Sequence, residues 1–130
     1  MPRFVVLIHQ TPPEYPRGDH WDFMLEAEGS LRTWALEVAP EPGIEIAAQE
    51  LADHRLDYLE YEGPISGDRG SVSRWDAGAY EMIADDSAPT QACHWRVRLH
   101  GQRLQGVALF TRLDGHRWTF SFAADHSASG

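Results

Sequence analysis

Residues 20–26 read His20-Trp21-Asp22-Phe23-Met24-Leu25-Glu26, a run in which apolar side chains alternate with polar ones and Met24. In a β-strand successive side chains point to opposite faces, so the apolar residues at 21, 23 and 25 would share one face. The other face would carry His20 and Asp22, whose backbones lie about 7 Å apart in a strand. At that separation an imidazole and a carboxylate can lean onto one cation. The segment therefore predicts a strand with one face in the core and a metal site on the other.

A third metal ligand is predicted at His9. This histidine ends the run Phe4-Val5-Val6-Leu7-Ile8, which has the length and the β-branched and aromatic content of a buried strand. The intervening loop, residues 10–19, contains three prolines and returns the chain. A His9, His20 and Asp22 site would leave open positions for water and a substrate oxygen. A surface salt bridge between His20 and Asp22, or a buried histidine at position 9, is the structural alternative.

Short alternating segments separated by turn residues continue to residue 122 and predict further strands, at 31–38, 71–76, 93–99, 104–113 and 118–122. Residues 44–51 fit either a strand or a helical turn. Ala77-Gly78 is predicted to be a turn, and Asp114-Gly115 a hairpin turn. No segment has the pattern of an amphipathic helix. We predict an all-β fold, a small antiparallel β-barrel with one polar groove, formed by a single domain of residues 1–123 with a flexible tail at 124–130.

Composition narrows the functional classes. The net charge of −9 is unfavourable for a general nucleic-acid binder, although arginines could line a local groove. The single cysteine, Cys93, excludes an intramolecular disulfide and lacks the basic surroundings of a nucleophile. The longest apolar run, Phe4 to Ile8, is far shorter than the roughly 20 residues that cross a bilayer. We expect a cytoplasmic protein without a membrane partner, whose five tryptophans serve as core or groove walls.

Seven segments in a fixed order resemble the 3′-phosphoesterase domain of bacterial DNA ligase D. They are residues 4–9, 20–26, 29–35, 53–58, 62–63, 72–78 and 99–106. Each segment alone is weak, but the ordered set is specific and spans nearly the whole chain. The protein is thereby identified as a small stand-alone member of that family.

The resemblance implies a β-barrel with a crescent groove and a manganese-dependent activity, with zinc as the alternative metal. Its implied reaction is the trimming of DNA 3′ ends in repair, removing a terminal ribonucleoside or a 3′-phosphate. Carried over to this sequence, the implied metal ligands are His9, His20 and Asp22. His54 would hold the scissile phosphate or assist proton transfer, with Tyr58 beside it. The implied partners are a nucleic-acid 3′ end or a small phosphoester, and a DNA-repair protein.

The sequence departs from the family pattern at Met24, where the family has an arginine that contacts the phosphate. Loss of that arginine removes a charge-assisted contact, and Arg69 or Arg55 could replace it from a nearby loop. The gap from His9 to His20 is longer than usual, and the loop from Gly63 to Val72 is shorter. The retained ligands favour an enzyme. Met24 and the acidic charge favour the alternative, a non-catalytic barrel that binds a nucleic-acid end, a small phosphoester or a protein. A purely structural module is the third reading.

Overall fold

The computed structural model describes residues 1–13, 18–65, 69–83 and 94–125. Its strands are β1 (Arg3–Gln10), β2 (His20–Ala27), β3 (Ser30–Leu36), β4 (Glu45–His54), β5 (Gly63–Pro64), β6 (Ser71–Met82), β7 (His94–Gly101), β8 (Gln105–Asp114) and β9 (Arg117–Ala124). The helical element among these residues is one 3-10 turn, Leu56–Leu59. None of the helical structure described is long and apolar enough to span a membrane.

The strands form one antiparallel sheet that closes on itself. Its order is β1-β2-β3-β4-β9-β8-β7-β6, and β6 also pairs with β1. The two-residue strand β5 pairs with the first two residues of β6, Ser71 and Val72, on the side away from β1. Closure removes exposed sheet edges, which otherwise invite pairing with other chains. The predicted all-β fold and antiparallel β-barrel are confirmed.

Large apolar side chains from all eight barrel strands fill the interior. Trp34 packs against Phe110, with ring centroids 4.4 Å apart, and edge-on against Trp95 and Trp118. Phe23, from the opening segment, lies 5.2 Å from Phe110. All five of these side chains are at most 2% exposed. In the part of the chain that the structure describes, these side chains fill the centre of the barrel as a packed core.

A second apolar cluster lies on the outer face of β1, β2 and β3. It consists of Val5, Leu7, Met24, Leu31, Leu59 and Val72. Alternation explains it, because these strand residues are the neighbours in sequence of those that point into the barrel. Leu59 belongs to the 3-10 turn, so this cluster holds the segment after β4 against the outside of the barrel.

The structure decides the state of residues 44–51 and corrects the prediction at Ala77-Gly78. Residues 44–51, which fitted either strand or helix, lie in β4 from Glu45 onward, where Ile46 and Ala48 point into the core. The predicted turn at Ala77-Gly78 is wrong, because β6 runs through it without a break. A Cβ atom on Gly78 would collide with the carbonyl oxygen of His100 on β7. The glycine thus permits a close approach of two strands.

Asp76 gives a structural reason for two of the segments that carried the family resemblance. It is buried, and its carboxylate accepts hydrogen bonds from the backbone N–H groups of Gln102 and Leu104, each at 2.8 Å. From the neighbouring strand β6, Asp76 thereby gives hydrogen-bond acceptors to two backbone N–H groups in the turn between β7 and β8. The predicted hairpin turn at Asp114-Gly115 joins β8 and β9, with Gly115 at a φ of 47°.

At the carboxyl end, β9 extends one residue beyond the predicted domain boundary at 123. The N–H of Asp125 donates to the carbonyl of Gln105 at 2.8 Å, and its carboxylate pairs with Arg98 at 2.9 Å. The rest of the predicted tail, residues 126–130, lies outside the described residues, as does Cys93.

Candidate metal centre

The register of β1 and β2 brings three polar side chains together. His9 and His20 are direct cross-strand partners. Asp22 lies opposite Leu7, two residues after His20 on β2 and therefore on the same face of the sheet. Directly opposed residues in an antiparallel pair have Cβ atoms about 5 Å apart. All three side chains lie on the outer face of the barrel, beside the second apolar cluster, and are at most 8% exposed.

The three side chains converge on one point. Nδ1 of His9 and Nε2 of His20 are 3.1 Å apart. The Asp22 carboxylate places Oδ2 3.4 Å from the former and Oδ1 3.1 Å from the latter. One ligand atom from each residue can be chosen so that all lie within 4.8 Å of one another.

Backbone carbonyls fix which nitrogen of each ring faces this point. Nε2 of His9 lies 2.7 Å from the carbonyl oxygen of Arg69, and Nδ1 of His20 lies 2.9 Å from that of Gly18. A carbonyl can only accept, so each of these nitrogens donates its N–H. In the neutral rings the opposite nitrogens, which face Asp22, then carry lone pairs. Outer partners of this kind are what orient histidines that bind metals.

Charge at the cluster is set by the contact between carboxylate and imidazoles. The hydrogen-bonding contact with Asp22 raises the pKa of His9 above its ordinary value, against the opposing effect of burial. Burial alone would raise the pKa of Asp22, but the adjoining imidazoles of His20 and His9 hold it below its usual range. The cluster thus keeps an ionised carboxylate and attracts positive charge.

The donor set fits a divalent cation. Two imidazole lone pairs and a carboxylate facing one another at about 3 Å repel unless a proton or a metal ion lies among them. Asp22 Oδ1 is also buried, and its near neighbour is the Nε2 atom of His20 at 3.1 Å, the nitrogen that carries a lone pair in the neutral ring. Among the described residues, His9, His20 and Asp22 form the single group of three or more potential ligands close enough to share an ion.

A cavity of about 270 Å³ opens beside the three residues and is lined by the remaining predicted site residues. His54 is the last residue of β4, where it pairs with Leu31 of β3, and Tyr58 lies in the 3-10 turn. Their ring centroids are 5.4 Å apart. Arg69 also lines this cavity, whereas Arg55 lines a neighbouring one. The structure thus brings together His9, His20, Asp22, His54, Tyr58 and Arg69; their chemical roles stay predictions.

Met24 forms part of the cavity wall and is 1% exposed. It packs in the second apolar cluster with Leu31 and Leu59. An arginine at this position would have to place a charge among those side chains unless it reached into the cavity. The methionine is therefore integrated into the packing beneath the site.

Residues 13–112 match the family model described as the DNA Ligase D 3′-phosphoesterase domain. The chain belongs to the DNA ligase D 3′-phosphoesterase domain family. The match covers well over half of the 130 residues, which confirms the resemblance derived from the seven segments.

Two relatives of this phosphoesterase domain are much longer proteins. The chain is 35% identical over 122 residues to the multifunctional non-homologous end joining DNA repair protein LigD of Mycobacterium tuberculosis, covering 88% of this chain and 15% of that protein. It is 35% identical over 92 residues to the multifunctional non-homologous end joining protein LigD of Pseudomonas aeruginosa, covering 67% of this chain and 11% of that protein.

The backbone groups of this candidate site could not be predicted from the sequence. The carbonyls of Gly18 and Arg69 orient the two histidines, and a carbonyl carries no sequence signal because every residue has one. One weak signal existed at Gly70, which follows Arg69 with a φ of 93°. A Cβ there would collide with the carbonyl oxygen of Gln10, so glycine lets the loop lie against the end of β1.

Proposed function

We propose that this protein is a divalent-metal-dependent phosphoesterase that processes DNA 3′ ends in repair, removing a 3′-phosphate or a 3′-terminal ribonucleoside. Family membership supports the end-processing class of reaction. The observation that carries the proposal is the orientation of His9 and His20, whose outer nitrogens donate to backbone carbonyls while their inner nitrogens face Asp22. That arrangement has the geometry of a metal site with its outer partners in place.

The metal proposed is manganese, with zinc as the alternative. Imidazole ligands suit zinc, and carboxylate oxygen suits manganese, so the mixed donor set of His9, His20 and Asp22 is compatible with both. A bound divalent ion would neutralise charge on the phosphoryl group and lower the pKa of a bound water. The chain's own residues must then position the phosphate and handle the proton.

His54 and Tyr58 are proposed to contact the phosphoester. Nδ1 of His54 lies 3.0 Å from the carbonyl oxygen of Ala52 and donates to it, so Nε2 is the nitrogen that a substrate would meet. In the neutral ring Nε2 accepts a proton, and in the charged ring it donates one to a leaving oxygen. The Tyr58 ring packs edge-on against His54 and holds it at the cavity wall.

Arg69 is proposed to supply the cation that the family places at position 24. It lines the same cavity, and its charge acts on His9, where it opposes the rise in pKa. A guanidinium can hold two oxygens of a phosphate at once. The loop from Gly63 to Val72 would thus contribute both the backbone carbonyl that orients His9 and the side chain that binds the phosphate.

The direct test is hydrolysis of DNA primers that end in one ribonucleotide or in a 3′-phosphate, with manganese, followed by product sizing. We expect shortened or dephosphorylated products from the wild type and none from His20→Ala. His100→Ala is the matched control, because His100 is a surface histidine paired with Glu81 at 2.9 Å, away from the site. Equal activity of wild type and His20→Ala would refute the proposed centre.

Met24 favours a second candidate, a barrel that binds a 3′ end without hydrolysing it. In that case a metal ion would still stabilise the protein, but no product would form from either primer. Met24→Arg distinguishes the two. If Arg69 already fills the cationic role, the substitution leaves hydrolysis unchanged; if the role is vacant, it creates or strongly raises activity.

A further inference from the structure

A second cavity adjoins the metal site. Its volume is about 310 Å³, at the lower end of the roughly 300–1,000 Å³ typical of ligand pockets. It shares Tyr58, Ile65 and Arg69 with the cavity beside the metal cluster and continues past them to Arg55 and Tyr61. A ligand bound at the cluster would therefore have a path along the 3-10 turn into this second space.

The lining of the second cavity is cationic and aromatic. Arg55 and Arg69 contribute two positive charges against one negative charge from Asp57, in a chain whose net charge is −9. Tyr61 is 37% exposed, and its ring packs edge-on against Tyr58 at 5.9 Å. Its hydroxyl donates to the carbonyl of Pro64, which fixes the ring against strand β5. Guanidinium groups beside an exposed aromatic ring are the combination that binds a phosphate and the base next to it.

We propose that this second cavity is a nucleotide subsite, which holds the phosphodiester and base adjacent to the terminal phosphate. Arg55 would contact the phosphodiester and Tyr61 would stack on the base. The inference rests on the proposed function, because the ligand is the strand whose end lies at the metal cluster. It specifies the substrate class as a polynucleotide end, in preference to a mononucleotide or another small phosphoester.

Binding of a short fluorescein-labelled oligothymidylate with a 3′-hydroxyl tests the subsite without any hydrolysis. With manganese present and fluorescence anisotropy as the readout, we expect Arg55→Ala to weaken binding about fivefold. The slope of log affinity against log salt should also become shallower by about 0.7, the value for one phosphate contact on a single strand. Arg96→Ala is the control, because Arg96 is an exposed arginine in a different cavity, beside Val107 and Leu109; its affinity and slope should match the wild type.

The aromatic part is tested at Tyr61. We expect Tyr61→Leu to weaken binding at least about fivefold, because stacking on one base contributes about 1–3 kcal/mol. Tyr61→Phe keeps the ring and should retain most of the affinity, although it loses the hydroxyl bond to Pro64. Thermal unfolding of each variant shows whether the barrel is intact, and a structural role alone would not change the salt slope.

Kinetics separate this inference from the proposed function. We expect Arg55→Ala to raise KM for an oligonucleotide 3′-phosphate about fivefold more than it raises KM for a nucleoside 3′-monophosphate, which has no adjacent phosphodiester. If both substrates are hydrolysed and Arg55→Ala alters neither KM nor the salt slope, the subsite is refuted while the phosphoesterase function stands. If no substrate is hydrolysed but Arg55→Ala and Tyr61→Leu weaken oligonucleotide binding, the proposed function fails and the subsite is supported.

Discussion

If manganese binds at this cluster as proposed, Asp22→Asn should remove most of the stabilisation that the metal gives the folded protein, with little change in side-chain shape. Asp22 is the sole carboxylate in the cluster with His9 and His20 and is 3% exposed. Asparagine has the same size but no charge, so the two imidazoles would be left with a neutral oxygen ligand. The change removes the attraction between a dication and an ionised group in a partly dry site, where charge is least screened.

The expected magnitude follows from ligand linkage. A metal present at about 100 times its Kd stabilises the folded state by about 2.7 kcal/mol, which for a domain of this size corresponds to a rise in Tm of about 8–10 °C. Mutating the outer partner of a metal ligand typically costs about 10- to 100-fold in affinity, so loss of a ligand itself should cost about 100-fold or more. At the same metal concentration the variant would gain only about 0.4 kcal/mol, or about 1–2 °C.

Differential scanning fluorimetry measures both shifts, with each protein referred to its own Tm in EDTA. His100→Gln is the control for weak binding by surface histidines, since His100 forms an exposed pair with Glu81; it should show the full rise. A rise in Asp22→Asn equal to that of the wild type would refute the assignment of this cluster as the metal site. A wild type that shows no rise with manganese or zinc would refute the divalent centre itself.

Three further outcomes are expected. In EDTA, the contact with Asp22 raises the pKa of His9, so the stabilisation from His9 should be fully present below the ordinary imidazole pKa of 6.5 and lost as pH rises through the higher folded value. The pKa of Asp22 is lowered, so the stabilisation from Asp22 should be lost as pH falls through a value below 3.8. Urea unfolding of wild type and His9→Gln from pH 5 to 9 should therefore show a difference that shrinks toward alkaline pH. Gly70→Ala should weaken manganese affinity, because its Cβ would collide with the carbonyl of Gln10 and displace the loop that orients His9; isothermal titration calorimetry would show an unchanged affinity if that loop is irrelevant. Leu59→Ala should cost about 2–4 kcal/mol in urea unfolding by leaving a gap in the outer cluster, and a loss below about 0.5 kcal/mol would indicate that the cover is loosely packed.

Much of the barrel could be predicted because its strands carry the two-residue period clearly. Residues 20–26 separate into core and outer faces as the alternation predicts, and Trp118, Phe120 and Phe122 on β9 do the same. β4 was ambiguous because its Ala, Glu and Gln residues have little strand preference, and its pairing with β3 and β9 decides its state. The turn predicted at Ala77-Gly78 was wrong because a glycine that allows a neighbouring strand to approach closely cannot be told in sequence from a glycine in a turn.

The candidate site was predictable where it depended on one strand and unpredictable where it depended on the fold. His20 and Asp22 follow from alternation within β2 alone. His9 was predicted from its place at the end of the preceding strand, but its direct pairing with His20 is a matter of register, which the ten residues between them do not specify. The orientation of the rings depends on the carbonyls of Gly18 and Arg69, which lie outside the strands and whose positions no alternation pattern predicts.

The location of the site on the outside of the barrel follows from how the interior is filled. Three tryptophans and several phenylalanines occupy the centre, so polar chemistry has no space there. An outer face exposed to water would screen the charges of the cluster, and residues 56–65 and 69–72 reduce that exposure, with Leu59 and Val72 packed in the outer apolar cluster. The same residues supply Tyr58, Arg69 and the carbonyl that orients His9. The same residues would therefore both cover the proposed metal cluster and line the cavity beside it, and substitutions that loosen this cover should impair metal binding before they unfold the barrel.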